Sequence, residues 1–162
     1  MAERVDDRRP PLGFLLVRIA EVVDQLFVSA LADLGLKPRH LRLLVLVDRS
    51  PGLTQRELAA QLGMDAGNLI AVLDALEGQG LLRRDRHQAD RRQRLVTLTS
   101  HGEARLANAI DATEQVEKRV FARLSTSEFA SYYDATLATY LHIADSDSQV
   151  AGDTHMSDSA RS

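Results

Sequence analysis

The run from Leu53 to Leu98, LTQRELAAQLGMDAGNLIAVLDALEGQGLLRRDRHQADRRQRLVTL, constrains this chain more than any other feature. Thr54 stands three residues before Glu57, a capping box that starts a helix over Gln55 to Leu62, and Gly63 ends it. Asp65 then caps a second helix, whose apolar positions Leu69, Val72, Leu73 and Leu76 recur at helical spacing up to Gly78 and Gly80. Two short helices joined by a tight glycine turn make a helix-turn-helix. The offsets suit that motif better than an ordinary pair of amphipathic helices. Ala59 is small where the second helix must approach, Gly63 tolerates a left-handed turn, and Leu69 points back into the shared core.

Beyond the second helix, Leu81 to Arg84 and Gln93 to Leu98 read as two short strands, with the polar Asp85 to Arg92 as a hairpin tip. Six of the twelve residues from Arg83 to Arg94 are arginine, against two aspartates. A run of charge is often only a solvated face. Beside a helix-turn-helix it points to nucleic acid: guanidinium forks suit phosphate oxygens and the narrow minor groove, and the second helix suits the major groove.

The order Leu53-Thr-Gln-Arg-Glu-Leu-Ala, Asp74-Ala-Leu-Glu-Gly-Gln-Gly-Leu-Leu, Asp90-Arg91-Arg92 and Leu95-Val-Thr-Leu-Thr-Ser-His-Gly resembles the MarR family of bacterial winged-helix regulators, over roughly Leu12 to Ile143. The resemblance implies a homodimer on a palindromic double-stranded operator, usually a repressor, often released by a small aromatic or acidic ligand. It implies a DNA face made of Thr54, Gln55 and Arg56, of Ala66, Gly67, Asn68, Ile70 and Ala71 on the recognition helix, and of Arg84, Arg86, Arg91, Arg92 and Arg94 in the wing. Arg92 falls on the family's wing signature, so it is expected on phosphate or in the minor groove with Arg91 and Arg94 in support. Asp74 falls where the family has an acidic residue facing the wing. An ion pair with Arg92 or a neighbour is expected there, against the alternative of a solvated carboxylate. The chain departs from the family at Gly67-Asn68 and Ile70-Ala71, where many members carry Ser-Thr and then an arginine. Asn68 is left as the main side chain able to pair with adenine, which implies an A·T-rich operator core; the alternative is that Asn68 only caps the helix.

The flanks supply helices. Pro10 and Pro11 open a long amphipathic one that runs from Leu12 to Gly35, and Arg18, Glu21 and Asp24 argue against a membrane span. Pro38 begins another that Ser50-Pro51-Gly52 stops, with Lys37 where the family often has a threonine cap. Ser100 with Glu103 and Ser125 with Glu128 are further capping boxes. They open a helix to about Leu124, with Ile110, Thr113, Val116, Val120 and Phe121 on one stripe, and a last helix rich in Tyr and Leu. The expected fold is mainly α, a winged helix-turn-helix with a two-stranded wing plus a helical dimerisation bundle. Residues 36–99 form the DNA-binding region, and 10–35 with 100–144 form the bundle. These outer helices carry more apolar surface than a winged helix covers, so two subunits sharing them is the economical solution, with an intramolecular bundle as the alternative. Residues 1–9 read as a loose arm and 145–162 as a disordered acidic tail.

Charge fits this division. The net charge of −3 looks wrong for DNA, but residues 145–162 carry four aspartates and one arginine, which leaves the remainder neutral. Local field governs phosphate binding, not the total. There is no cysteine, which removes disulfides and thiolate metal sites. No phosphate-cradling glycine loop, histidine pair at metal spacing or nucleophile elbow is present, so neither an enzyme nor a cofactor or metal is expected. His40 and His142 could line a ligand pocket, and His40 is the candidate kept. A cytoplasmic regulator is one reading. A winged helix that binds protein without DNA is the other, and the six wing arginines separate them, since a protein-binding wing has no need of so many.

Overall fold

Several helix starts in this chain are set by side chains that replace missing backbone partners. Thr54 Oγ1 accepts from Glu57 N–H at 3.3 Å while the Glu57 carboxylate accepts from Thr54 N–H at 2.8 Å. Asp65 Oδ1 accepts from Asn68 N–H at 2.9 Å, and Ser125 with Glu128 repeats the reciprocal pair at 3.3 and 2.8 Å. The structure is a computed structural model that describes residues 9–86 and 94–158, with side chains described from 9 to 85 and from 94 to 143. Its elements are α1 (Leu12–Ala32), α2 (Pro38–Arg49), α3 (Gln55–Leu62), α4 (Ala66–Gly78), β1 (Leu82–Arg86), β2 (Arg94–Leu98), α5 (Ser100–Val120) and α6 (Thr126–Asp158). They fall into two compact units, Met1–Arg119 and Val120–Ser162.

In the first unit, α3 turns into α4 through Gly63, whose φ of 61° is the left-handed conformation that a Cβ would penalise. Leu31 of α1, Leu43 and Leu44 of α2, Leu58 of α3 and Leu73 of α4 are wholly buried in one cluster. Leu106 and Ala109 of α5 join it, so α1 and α5, expected in the bundle, also pack on the core of the winged helix. β1 and β2 pair antiparallel, with Leu82 opposite Leu98 and Arg84 opposite Val96. Leu82 and Val96 are buried, which marks the face of the hairpin turned towards the helices. In the second unit the Phe121 ring lies 5.4 Å from that of Phe129 and 5.6 Å from that of Tyr132. No helix among the described residues is long and apolar enough to cross a membrane.

Several boundaries differ from the sequence reading. β1 takes in Asp85 and Arg86, expected in the hairpin tip, because pairing with Leu95 and Arg94 satisfies their backbone whatever their polarity. α5 ends at Val120 rather than near Leu124, and its buried face is Gly102, Leu106, Ala109 and Val116, with Ile110 exposed. α6 continues to Asp158, past Ala144 where an irregular tail is expected. Between Ala144 and Ala151 there is neither proline nor glycine, and helical backbone bonding requires no apolar partner. The arm at residues 1–8 lies outside the described residues.

The start of α5 also corrects the capping assignment. Thr99, not Ser100, is the cap: its hydroxyl donates to Gly80 O at 2.6 Å and accepts from Gly102 N–H at 3.0 Å. Glu103 is one position too late to close a box with it. This joint ties the end of the wing to the turn after α4, and it is tight. A Cβ on Gly102 would lie 2.0 Å from Leu81 O, a backbone atom that cannot step aside. Gly102→Ala is therefore expected to cost about 2–3 kcal/mol, as overpacking does, and Thr99→Val about 1 kcal/mol for the lost cap. Urea unfolding of the two variants checks that order.

Candidate nucleic-acid interface

The starts of α3 and α4 and the first residue of β2 meet around one crevice of about 530 Å³. Thr54, Gln55, Arg56, Ala66, Ile70 and Arg94 line it, six of the residues expected on a DNA face. Leu69 closes its floor and is buried, whereas Ile70 is 46% exposed and Gly67, Asn68 and Ala71 are exposed beside it. α4 thus packs Leu69, Val72, Leu73 and Leu76 inward and leaves a small-residue face in solvent. No ion pair among the described residues involves Arg56 or Arg94, so both guanidinium groups have capacity for an outside anion.

The wing is held at both edges. Val96 N–H donates to Leu53 O at 3.2 Å, and Thr54 bridges Leu95, so β2 is tied to the segment that enters α3. On the other edge, Arg84 N–H donates to Glu77 Oε1 at 3.2 Å, so a carboxylate on α4 caps a strand amide. The Arg84 guanidinium also donates to Glu77 Oε2, through Nε at 2.9 Å and through Nη2, and pairs with Asp74 Oδ1 at 2.6 Å. Hydrogen bonds from Arg84 hold the Glu77 carboxyl below its usual range, and those to Glu77 and Asp74 raise the guanidinium pKa. Asp74 therefore has a partner in the wing, Arg84, while Arg92, the partner first expected, lies outside the described residues. Glu77 was missed, although Arg84 shares the strand face of the buried Leu82 and an inward cation needs an acceptor.

The other expected residues divide. Arg83, in the outward register, donates from Nε to Thr97 Oγ1 at 3.0 Å and pairs with Asp85 at 3.0 Å. Asn68 is engaged at the helix start: its backbone N–H donates to Asp65 Oδ1 and its side-chain amide to Asp65 Oδ2, and these bonds hold the Asp65 carboxyl low. That leaves its Oδ1 and its second amide hydrogen for any base. Arg86 lies on β1, with its side chain outside the described residues; Asp90, Arg91 and Arg92 lie wholly outside them.

His40 sits elsewhere, on α2, and is 5% exposed. Its Nδ1 accepts from Lys37 N–H at 3.3 Å, so the imidazole does at the start of α2 what the glutamate of a capping box does. With Nδ1 an acceptor, the ring proton is on Nε2, which is buried and has no hydrogen-bond partner among the described residues. His142 is exposed on α6. Among the described residues no three His, Asp or Glu side chains gather as metal ligands would.

A helix-turn-helix whose second helix shows a small-residue face, flanked by a clamped arginine-bearing hairpin, defines the winged helix-turn-helix class. Residues 34–93 match the MarR family model. The HTH-type transcriptional repressor Rv2887 of Mycobacterium tuberculosis is 32% identical over 118 residues, covering 73% of this chain and 85% of that protein. The transcriptional regulator HosA of Escherichia coli is 35% identical over 92 residues, 57% of this chain and 67% of that protein. Among solved structures, the transcriptional repressor CouR bound to a 23-mer DNA duplex superposes with a TM-score of 0.70 at 37% identity, covering 83% of this chain and 92% of that one. The chain belongs to the MarR family.

Burial first, then the positive charges of Arg39 and Lys37, depress the His40 pKa. A depressed folded-state value means that the unfolded chain binds the proton more readily. The contribution of His40 to stability is full above the unfolded value of about 6.5 and is lost as pH falls from there through the folded value. Urea unfolding is expected to show stability falling on acidification from pH 7 through that window, with a flatter profile in His40→Gln.

Proposed function

We propose that this protein is a dimeric, sequence-specific DNA-binding transcriptional regulator, a cytoplasmic repressor whose hold on a palindromic operator is released by a small ligand. One observation carries the reading: the crevice between α3, α4 and β2 joins two arginines without ion pairs among the described residues to an exposed helix face that can enter a major groove. The relatives support it, since Rv2887 is a repressor and CouR was solved on a DNA duplex.

Dimerisation rests on apolar surface. Phe14, Leu15, Val17 and Val22 of α1 are exposed, and so are Tyr133, Leu137, Tyr140 and Leu141 of α6. Each helix by itself shows more apolar area than a monomer leaves in water, and a second copy of the chain covers it. Release by a ligand rests on His40. A buried N–H without an acceptor costs about 1–3 kcal/mol, and a small carboxylate or phenolate at Nε2 removes that cost.

Phosphate contacts release counterions, so affinity for a random-sequence duplex must fall steeply with salt. Arg94→Ala in a dimer removes two such contacts and should make the log–log salt slope shallower by about two units. A wild-type protein with no salt-dependent duplex binding would leave the protein-binding alternative. Sequence readout is tested separately: Asn68→Ala is expected to lose roughly 1–3 kcal/mol on operator DNA per adenine contacted, with less effect on a scrambled duplex. Equal loss on both duplexes would confine Asn68 to the cap it makes with Asp65.

A further inference from the structure

The arginines of this wing are not equivalent. Strand alternation places Arg84 on the face of Leu82 and Val96, turned towards α4, and its side chain is only 19% exposed. Two carboxylates one helical turn apart, Asp74 and Glu77, meet its guanidinium, and Glu77 also takes its backbone N–H. An isolated surface pair would exchange readily with a DNA phosphate. Here the exchange would break several charge-assisted bonds and uncap the strand edge, and the incoming phosphate would meet Asp74, the more exposed of the two carboxylates. The cluster carries one more negative charge than positive.

We propose that Arg84 is a positioning residue and not a DNA contact: Asp74 and Glu77 withhold its guanidinium from the phosphate backbone, and this raises discrimination between operator and random DNA. Random binding is driven almost wholly by phosphate neutralisation. Specific binding adds base and groove contacts that need the wing set correctly against α4. A cation removed from phosphate reach and spent as a strut between β1 and α4 weakens the first and supports the second. Discrimination is a difference of affinities, and it gains from both changes.

The inference rests on the DNA-binding reading above and is tested apart from it. Full-length protein is titrated by fluorescence anisotropy against a duplex selected from random DNA and against a scrambled duplex, over a range of salt concentrations. Arg84→Ala and the milder Arg84→Gln are expected to leave the salt slope on the scrambled duplex unchanged while weakening operator binding several-fold. The double variant Asp74→Asn with Glu77→Gln is expected to steepen that slope by about one unit per subunit, because a guanidinium is freed, and to raise the dimer's scrambled-duplex affinity by up to about a hundredfold at 0.1 M salt. Adding Arg84→Ala to the double variant should restore the wild-type slope. The proposal is overturned if Arg84→Ala alone flattens the slope by about one unit per subunit, for then Arg84 already touches phosphate. It is equally overturned if the triple variant keeps the steep slope, since removal of the carboxylates would then explain it without Arg84. Wild-type protein that binds neither duplex would refute the DNA-binding reading itself.

Discussion

A two-stranded hairpin is marginally stable in water, and everything this protein does with its wing depends on how the two strand edges are satisfied. One edge is taken by backbone, Val96 N–H on Leu53 O, and the other by a side chain, Glu77 on Arg84 N–H. The first bond ties the wing to the entry of α3 and the second ties it to α4. The hairpin thereby becomes a rigid extension of the helix-turn-helix, and Arg94 stays at the crevice with Thr54, Arg56 and Ile70. Buried Leu82 and Val96 supply the apolar anchor beneath those bonds.

This clamp explains how a chain of net charge −3 can present a local site for a polyanion. Two guanidinium groups, Arg56 and Arg94, line the crevice with one carboxylate, Glu57, so its lining is cationic on balance. Net charge bears on solubility, and the acidic C-terminal residues contribute to it. The chain uses its other cations locally: Arg84 on two carboxylates, Arg83 on Asp85, and Arg105 donating to Leu34 O at 2.5 Å after α1.

Where the sequence was informative, the signal was local. α3 begins and ends where Thr54, Glu57 and Gly63 place it, and Asp65 starts α4, because capping depends on residues a turn apart. Long-range partners were harder to see. Thr99 displaces Ser100 as a cap because its hydroxyl also reaches Gly80 O, nineteen positions away in the chain, and only the folded joint shows that. Glu77 was overlooked for a similar reason: helical spacing put it on α4, but its strand partner follows from the register of β1. His40 as a cap-like acceptor for Lys37 was within sequence range, yet a histidine in that role is uncommon enough to be read as a ligand candidate alone. The apolar excess on α1 and α6 was legible, since amphipathic periodicity records surface that must find a cover.

The central claim is that two clamped winged helices read one symmetric DNA site, and selection of bound duplexes from a random library with the full-length protein tests it most directly. The expected product is an inverted repeat with an A·T-rich core whose half-sites are centred about one helical turn apart, roughly 34 Å. A pool that stays random after repeated rounds, or that converges on a single unrepeated half-site, would contradict the account.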